Sequence, residues 1–321
     1  MTQNLISRQR NLVIGALVAD AASLGLHWLY DQDRIAQVAP KTAAFHPASL
    51  NDYQDVPGYF AHPTKSAGAL SQYGEQALVM LRSLAETGQY DKDHYQAAFQ
   101  AHFGYGGAYV GYIDHPTRDT LDNISRASAA DNAPEFLGAD DRQLPAISKL
   151  PALVALTAGS EGFAEQVTSA IRVTNDCATA ISFGTTAADL MRAIVNGGKI
   201  SDALKEIDVS APDDVHDALA PLGDMIGQST CDITRTIGMS CDLAYGVPSV
   251  VHTLSIAPSY REAIEQNIYA GGDSCGRAIL LGAVMGAVHG VGGQTGIPED
   301  WIEQLTQRDE IIALLDQLFP A

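Results

Sequence analysis

Apolar residues recur at intervals of three and four along almost the whole 321-residue chain, and clear β-branched alternation is nearly absent. That spacing lays an apolar stripe along a helix, and no strand periodicity competes with it. It predicts helices over residues 5–24, 70–86, 91–105, 117–129, 144–158, 162–174, 178–196, 213–227, 247–257, 260–270, 275–289, 298–305 and 310–319. The breaks at 57–63, 104–107, 196–199 and 290–298 are short and rich in glycine or proline. Many helices with short connections predict an all-α fold, a large multi-helix bundle, rather than an α/β sheet. No linker and no fixed-period repeat interrupts the pattern, so residues 1–321 read as one domain. With 46% hydrophobic and 18% charged residues, such a domain can bury a large core and still enclose a pocket.

Charge narrows the partners. The chain carries 19 basic and 38 acidic residues, a formal charge of −19. A surface of that sign repels phosphate backbones and anionic lipid, so neither nucleic acid nor membrane is an expected partner. A small-molecule substrate is expected; an anionic one would need a local patch of opposite sign, such as a helix N-terminus. Cys177, Cys231, Cys241 and Cys275 show no metal-type spacing and read as reduced thiols. Arg8 and Arg10 before an apolar run mimic a leader, but the pattern continues through Trp28 and Tyr30 as in a buried helix. The expected location is cytoplasmic. The stretch 39–66, with Pro40, Pro47, Pro57 and Pro63, is the longest without pattern, and a loop of that length inside a compact domain often has a role as a lid.

Three segments combine apolar surroundings with polar groups. In the first, at 271–290, Gly271 and Gly272 precede Asp273, a good N-cap, and Gly282, Gly286 and Gly290 recur every four residues. Glycines weaken a helix by up to about 1 kcal/mol each, so a closely packed neighbour must offset them. Cys275 would lie in the first turn, where the helix dipole can lower a thiol pKa. In the second, at 15–31, Asp20 interrupts an apolar helix, and His27, Trp28, Tyr30 and Asp31 follow. A buried carboxylate needs a partner or a site, and a histidine titrating near neutrality suits proton transfer. In the third, at 68–81, Gln72, Tyr73, Glu75 and Gln76 crowd a helix start. Each also has a structural reading: a cap, a satisfied core histidine, a carboxylate placed by the dipole. No Walker loop, HExxH, GxSxG or dinucleotide fingerprint is present.

In this order the segments resemble the ADP-ribosylglycohydrolase family. Its GDxxGxxxE pattern falls on Ala19-Asp20 through His27, with His27 in place of the final Glu. Its TDDTQ stretch falls on Gln72-Tyr73-Gly74-Glu75-Gln76, and its GGDTDT helix start on Gly271-Gly272-Asp273-Ser274-Cys275-Gly276. Lesser landmarks are a proline-containing helix at 144–156, a start at Thr174-Asn175, and a final stretch from Ile297-Pro298 to Trp301. The variants HWxYD, LSxYGEQ and GGDSCxR are similar to the subgroup that includes the J-type crystallins of jellyfish.

The resemblance implies a hydrolase of an N- or O-glycosidic or related C–N bond in a small molecule. Family members hold two magnesium ions through the TDDT and DTDT side chains; here only Asp273 is an expected ligand, and magnesium needs several hard oxygens. No metal ligand set and no cofactor are therefore expected, and the implied chemistry is metal-independent or metal-reduced. The expected catalytic residues are His27 or Glu75 as the base, Asp273 to orient water or substrate, and Cys275. Asp20, Tyr73 and Trp28 are the expected substrate contacts. The alternatives are a magnesium-dependent ADP-ribosylhydrolase and a non-catalytic, crystallin-like binding or structural protein.

Overall fold

A computed structural model describes residues 2–128 and 132–320. Among these the chain is all-α: it contains no β-strand, and its extended pairings are isolated bridges such as Leu29 with Gly58. The N-terminal helix α1 (Thr2–Ser23) runs into a 3-10 turn at Leu24–Leu26 and is followed by α2 (Gln32–Val38). Next come α3 (Gln72–Thr87), α4 (Lys92–Phe103), α5 (His115–Ala127), α6 (Pro145–Ser148), α7 (Leu150–Thr157), α8 (Phe163–Arg172) and α9 (Ala178–Val195). The last part holds α10 (Ile200–Ser210), α11 (Asp213–Leu219), α12 (Thr230–Ile237), α13 (Leu243–Ile256), α14 (Tyr260–Tyr269), α15 (Ser274–His289), α16 (Glu299–Glu303) and α17 (Arg308–Leu318).

Most predicted helices are found within a few residues of their expected ends. The end of the helix predicted over 117–129, at Ala129, lies outside the described residues. Two long predictions are broken. The stretch 144–158 divides at Lys149 because Pro151 sits in the first turn of α7, where a missing N–H is tolerated. The stretch 213–227 ends at Leu219 and tightens into a 3-10 helix at Ala220–Met225, which carries Pro221. The unpredicted α2, α10 and α12 are short and bury few apolar side chains, so they carry little period to read.

At the centre α1 packs against α15. Every residue of α15 from Ser274 to Ala287 is buried, as expected of a helix apolar all round. Contact is close because Gly15, Ala19, Gly282 and Gly286 leave little or no side chain at the crossing. A Cβ added to Gly282 would lie 2.4 Å from the Ala19 Cβ and 2.4 Å from the Gly15 carbonyl oxygen, and one on Gly15 only 2.3 Å from the Gly282 oxygen. The bare face predicted around Gly282 and Gly286 is thus the seat of α1. This crossing brings the C-terminal end of α1 beside the N-terminal end of α15, and Asp20 there touches the head of α3.

Candidate active site

Asp20 is fully buried one turn before the end of α1. It accepts the Ser71 backbone N–H at 2.8 Å on Oδ2 and the Ser71 hydroxyl on Oδ1. Ser71 is in turn the N-cap of α3, accepting the Tyr73 N–H. Position 74 must be glycine, since a Cβ there would stand 2.2 Å from Asp20 Oδ2. Burial pushes the Asp20 carboxyl up to about 7 against the lowering effect of the two Ser71 bonds.

Asp273, also fully buried, caps α15 through Oδ1, which accepts the Gly276 N–H at 2.9 Å. Its Oδ2 accepts the Tyr73 hydroxyl at 2.6 Å. Burial raises its pKa to about 6, while Tyr73, Gly276 and the nearby Arg277 oppose the rise. His27 Nδ1 accepts the Cys275 N–H at 3.3 Å and lies 3.6 Å from Asp273 Oδ1. Burial, then the His62 and Arg277 charges, hold the His27 ring well below its usual pKa. It is therefore neutral near pH 7, and its approach to Asp273 is no ion pair. With Nδ1 accepting, the ring proton sits on Nε2, which is buried without a partner.

Trp28 adopts φ +61°, a left-handed conformation that bulky residues rarely take. Its N–H donates to the Gly272 carbonyl at 2.8 Å, which ties this turn to the head of α15. Its ring stacks on His27 at 4.4 Å and meets Tyr112 edge-on at 5.0 Å.

Asp20, His27, Trp28, Tyr73, Asp273 and Cys275 are thus joined by direct contacts, but Glu75 stands apart. Two residues beyond Tyr73 on α3, it turns to another side and binds Lys65 Nζ at 3.2 Å, His102 Nε2 at 3.0 Å and Gln307 Nε2 at 3.1 Å. Burial alone would raise its pKa, but His102 and Lys65 outweigh burial and hold the carboxyl below its ordinary value. A carboxylate so engaged is a poor base. Cys275 is fully buried. Its thiol points at the Asp20 carbonyl oxygen, 3.6 Å away, and burial, then the Asp20 and Asp273 charges, push it well above the usual thiol range. At this helix start desolvation outweighs the dipole.

Several groups were not anticipated. Asp114, the N-cap of α5, is buried; its Oδ1 accepts the Thr117 N–H, its Oδ2 has no partner, and burial raises its pKa. His62 stacks 5.4 Å from His27 with both ring nitrogens unpartnered, and burial presses its pKa down to about 3. Gln72 is buried with neither amide atom bonded. Lys149 is fully buried, its ammonium donating to Pro145 O at 2.6 Å and to Thr174 Oγ1; burial lowers it to about 7. Arg277 ties Asn267 and the Gly271 carbonyl at 2.6 Å, and its Nη1 is unpartnered. The signal for Asp114 was its place just before His115-Pro116, a helix-start pattern; for Lys149 and Arg277 it was a lone charge in an apolar helix. His62 and Lys65 fall in the stretch 39–66 flagged for its length.

Buried polar atoms without protein partners are uncommon, and a group of them implies bound solvent or ligand. A cavity of about 520 Å³ at the surface is bordered by Asp141, Gln143, Cys177 and Cys241. Cys241 lies close enough to Asp273 and Asp114 for their charges, after burial, to raise its thiol.

The donor set does not suit a magnesium pair. Gly74 has no side chain, Tyr73 is spent on Asp273, Glu75 is bound to Lys65 and His102, and Cys275 offers a soft thiol. Among the described residues no group of three or more His, Cys, Asp or Glu side chains is placed to share an ion. No helix among them is long and apolar enough to cross a membrane.

Comparison with known proteins agrees with this architecture. The chain is 27% identical to crystallin J1A of Tripedalia cystophora, over 97% of this chain and 96% of that one. It is 24% identical to crystallin J1B of the same animal, over 99% and 98%. A solved structure described as an ADP-ribosylglycohydrolase-related protein complex superposes with a TM-score of 0.71 over 99% of this chain and 98% of that one, at 16% identity, a likeness of fold. The ADP-ribosylglycohydrolase family profile matches residues 1–321, and the chain belongs to that family.

Proposed function

We propose that the protein is a hydrolase that cleaves a glycosidic or related C–N bond of a small molecule, working without the magnesium pair. The observation that carries this reading is Asp273: a buried carboxylate, fixed by Tyr73, whose pKa burial raises to about 6, 3.6 Å from the His27 ring, whose Nε2 lacks a partner. Such a group is mostly ionised at neutral pH yet basic enough to take a proton from water. In the proposed step the water oxygen forms the new bond to the carbon, its proton passes to Asp273, and the bond to the leaving nitrogen or oxygen breaks. Asp114, whose free Oδ2 and raised pKa suit an acid, supplies the leaving group's proton. The neutral His27 donates through Nε2–H to hold the substrate. Water activation thus moves from His27 or Glu75, where the sequence placed it, to Asp273.

The test is a hydrolysis screen over ADP-ribosyl-arginine, O-acetyl-ADP-ribose and simple N-glycosides, with and without chelator, for the native protein and Asp273→Asn. Chelator-resistant turnover that falls at least about 100-fold in Asp273→Asn supports the reading. Chelator-sensitive turnover with two-site Mg²⁺ binding by calorimetry would sink it. A second reading rests on the likeness to two crystallins. If a ligand binds without turnover and Asp273→Asn changes affinity alone, the chain is a binding protein.

A further inference from the structure

Away from the α1–α15 junction, the helices α10, α11 and α13 and the 3-10 segment Ala220–Met225 enclose a cavity of about 650 Å³. Its charged groups, Lys205, Asp208 and Asp217, are exposed at the margin, whereas Ile207 and the half-buried Leu204, Leu219 and Val251 form an apolar floor. Two histidines also line the cavity, the half-buried His216 and the buried His252. His252 of α13 borders the cavity, is only 7% exposed, and has an Nε2 with no hydrogen-bond partner.

The state of that ring follows from its surroundings. Burial lowers its pKa, against a hydrogen bond with the Gln228 backbone that favours the protonated form. Near pH 7 the ring is therefore neutral. A bond that favours protonation is one in which the ring donates to a carbonyl, so the proton lies on the Gln228 side and Nε2 is left as an acceptor. An acceptor buried without a donor is unfavourable. A ligand that covers the floor and brings one donor removes that cost.

We infer that this cavity binds a small uncharged molecule with an aromatic or alicyclic body and one hydroxyl, the hydroxyl donating to His252 Nε2. The volume lies within the range of sites for such ligands. A charged body does not match a floor free of counter-charge. The site is separate from Asp273 and its neighbours, so it does not depend on the hydrolase reading.

The experiment uses the full chain and two fluorescent probes of nearly equal size, 1-naphthol and 1-methylnaphthalene. The expected result is saturable 1-naphthol binding that His252→Phe weakens about tenfold, the effect of one lost hydrogen bond. His252→Gln, which keeps an acceptor, restores most of it, and 1-methylnaphthalene binds native and His252→Phe protein alike. Val251→Trp, which fills the cavity, abolishes binding of both probes. Thermal unfolding of each variant separates loss of the site from loss of the fold; should His252→Phe not fold, the contrast between His252→Gln and Val251→Trp stands in its place. Absence of saturable binding, indifference of 1-naphthol to both His252 variants, or binding that falls with protein concentration because a second copy covers the cavity would overturn the inference.

Discussion

Tyr73 and Asp273, 200 residues apart in the chain, share a 2.6 Å hydrogen bond in which the phenol donates to the carboxylate. Tyr73 lies in the first turn of α3, and Asp273 is the residue from which α15 starts. The contact therefore locks two buried helix heads together. It also sets the chemistry, because a hydroxyl donating to the charged form keeps the burial of Asp273 from raising its pKa further. Asp20 plays the matching part for α1 and α3 through Ser71. The two carboxyls are thus structural ties and titrating groups at once.

That double role gives a pH signature for Asp20. Its folded pKa of about 7 is raised above the ordinary 3.8, so the folded state holds the proton more tightly than the unfolded chain. The stabilisation is fully present below pH 3.8 and is lost as the pH rises through 7, by about 1.4 kcal/mol per pH unit at most. Asp20→Asn has no such slope. Urea unfolding of both proteins between pH 4.5 and 8 should show the variant gaining stability relative to the native chain as pH rises. Parallel curves would refute the assignment.

Glu75 has the opposite sign. Its folded pKa is depressed, so its contribution is present above the ordinary 4.5 and lost as the pH falls through the folded value. Glu75→Gln leaves Lys65 and His102 without their anion and should cost about 3 kcal/mol at pH 7, the loss typical of one partner of a buried pair. It should also remove part of the native protein's acid sensitivity below pH 4.5. Chemical denaturation at pH 7 and pH 3.5 measures both. An unchanged difference between the two pH values would show that the Lys65 and His102 contacts contribute nothing.

How much of this was legible beforehand depends on scale. The helices at 178–196 and 275–289 announced themselves because an apolar period over many residues leaves few alternatives, and the glycines of α15 foretold a close partner. Asp20 and Asp273 stood out as charges inside apolar runs. What remained hidden was direction. Tyr73 and Glu75 are two residues apart, so about half a turn of helix sends them to different neighbours, and no spacing rule says which one meets Asp273. The fate of Cys275 was equally hidden: a helix start and complete burial pull a thiol in opposite directions, and only the packing shows which is larger. His62 and Lys65 arrive from a loop without periodicity, where the sequence carries no register at all.

The α1–α15 crossing makes a packing prediction. Gly282→Ala should destabilise the protein by about 1–3 kcal/mol although alanine favours helices, since the new methyl meets Ala19 and the Gly15 carbonyl at 2.4 Å. Gly159→Ala is the control: its Cβ would meet nothing within 4 Å, and its effect should stay within about 0.5 kcal/mol. Equal melting temperatures for Gly282→Ala and the native chain would contradict so tight a crossing.

The last prediction concerns the four free thiols. Cys275 is fully buried under α1, with its pKa pushed well above the ordinary range, whereas Cys177, Cys231 and Cys241 are partly exposed. Burial raises all four thiols, so access decides the order of alkylation, and Cys275 has none. Treating the native protein with iodoacetamide at pH 7.5 and locating the adducts by mass spectrometry should find the other three modified first. Cys275 should react only at the rate at which the α1–α15 core opens. Unfolding in urea should make all four react alike, which shows that the protection comes from the fold. Fast modification of Cys275 in the native state would mean that the site admits a nucleophilic thiol after all, and the proposed step would then have to be rewritten with a covalent intermediate.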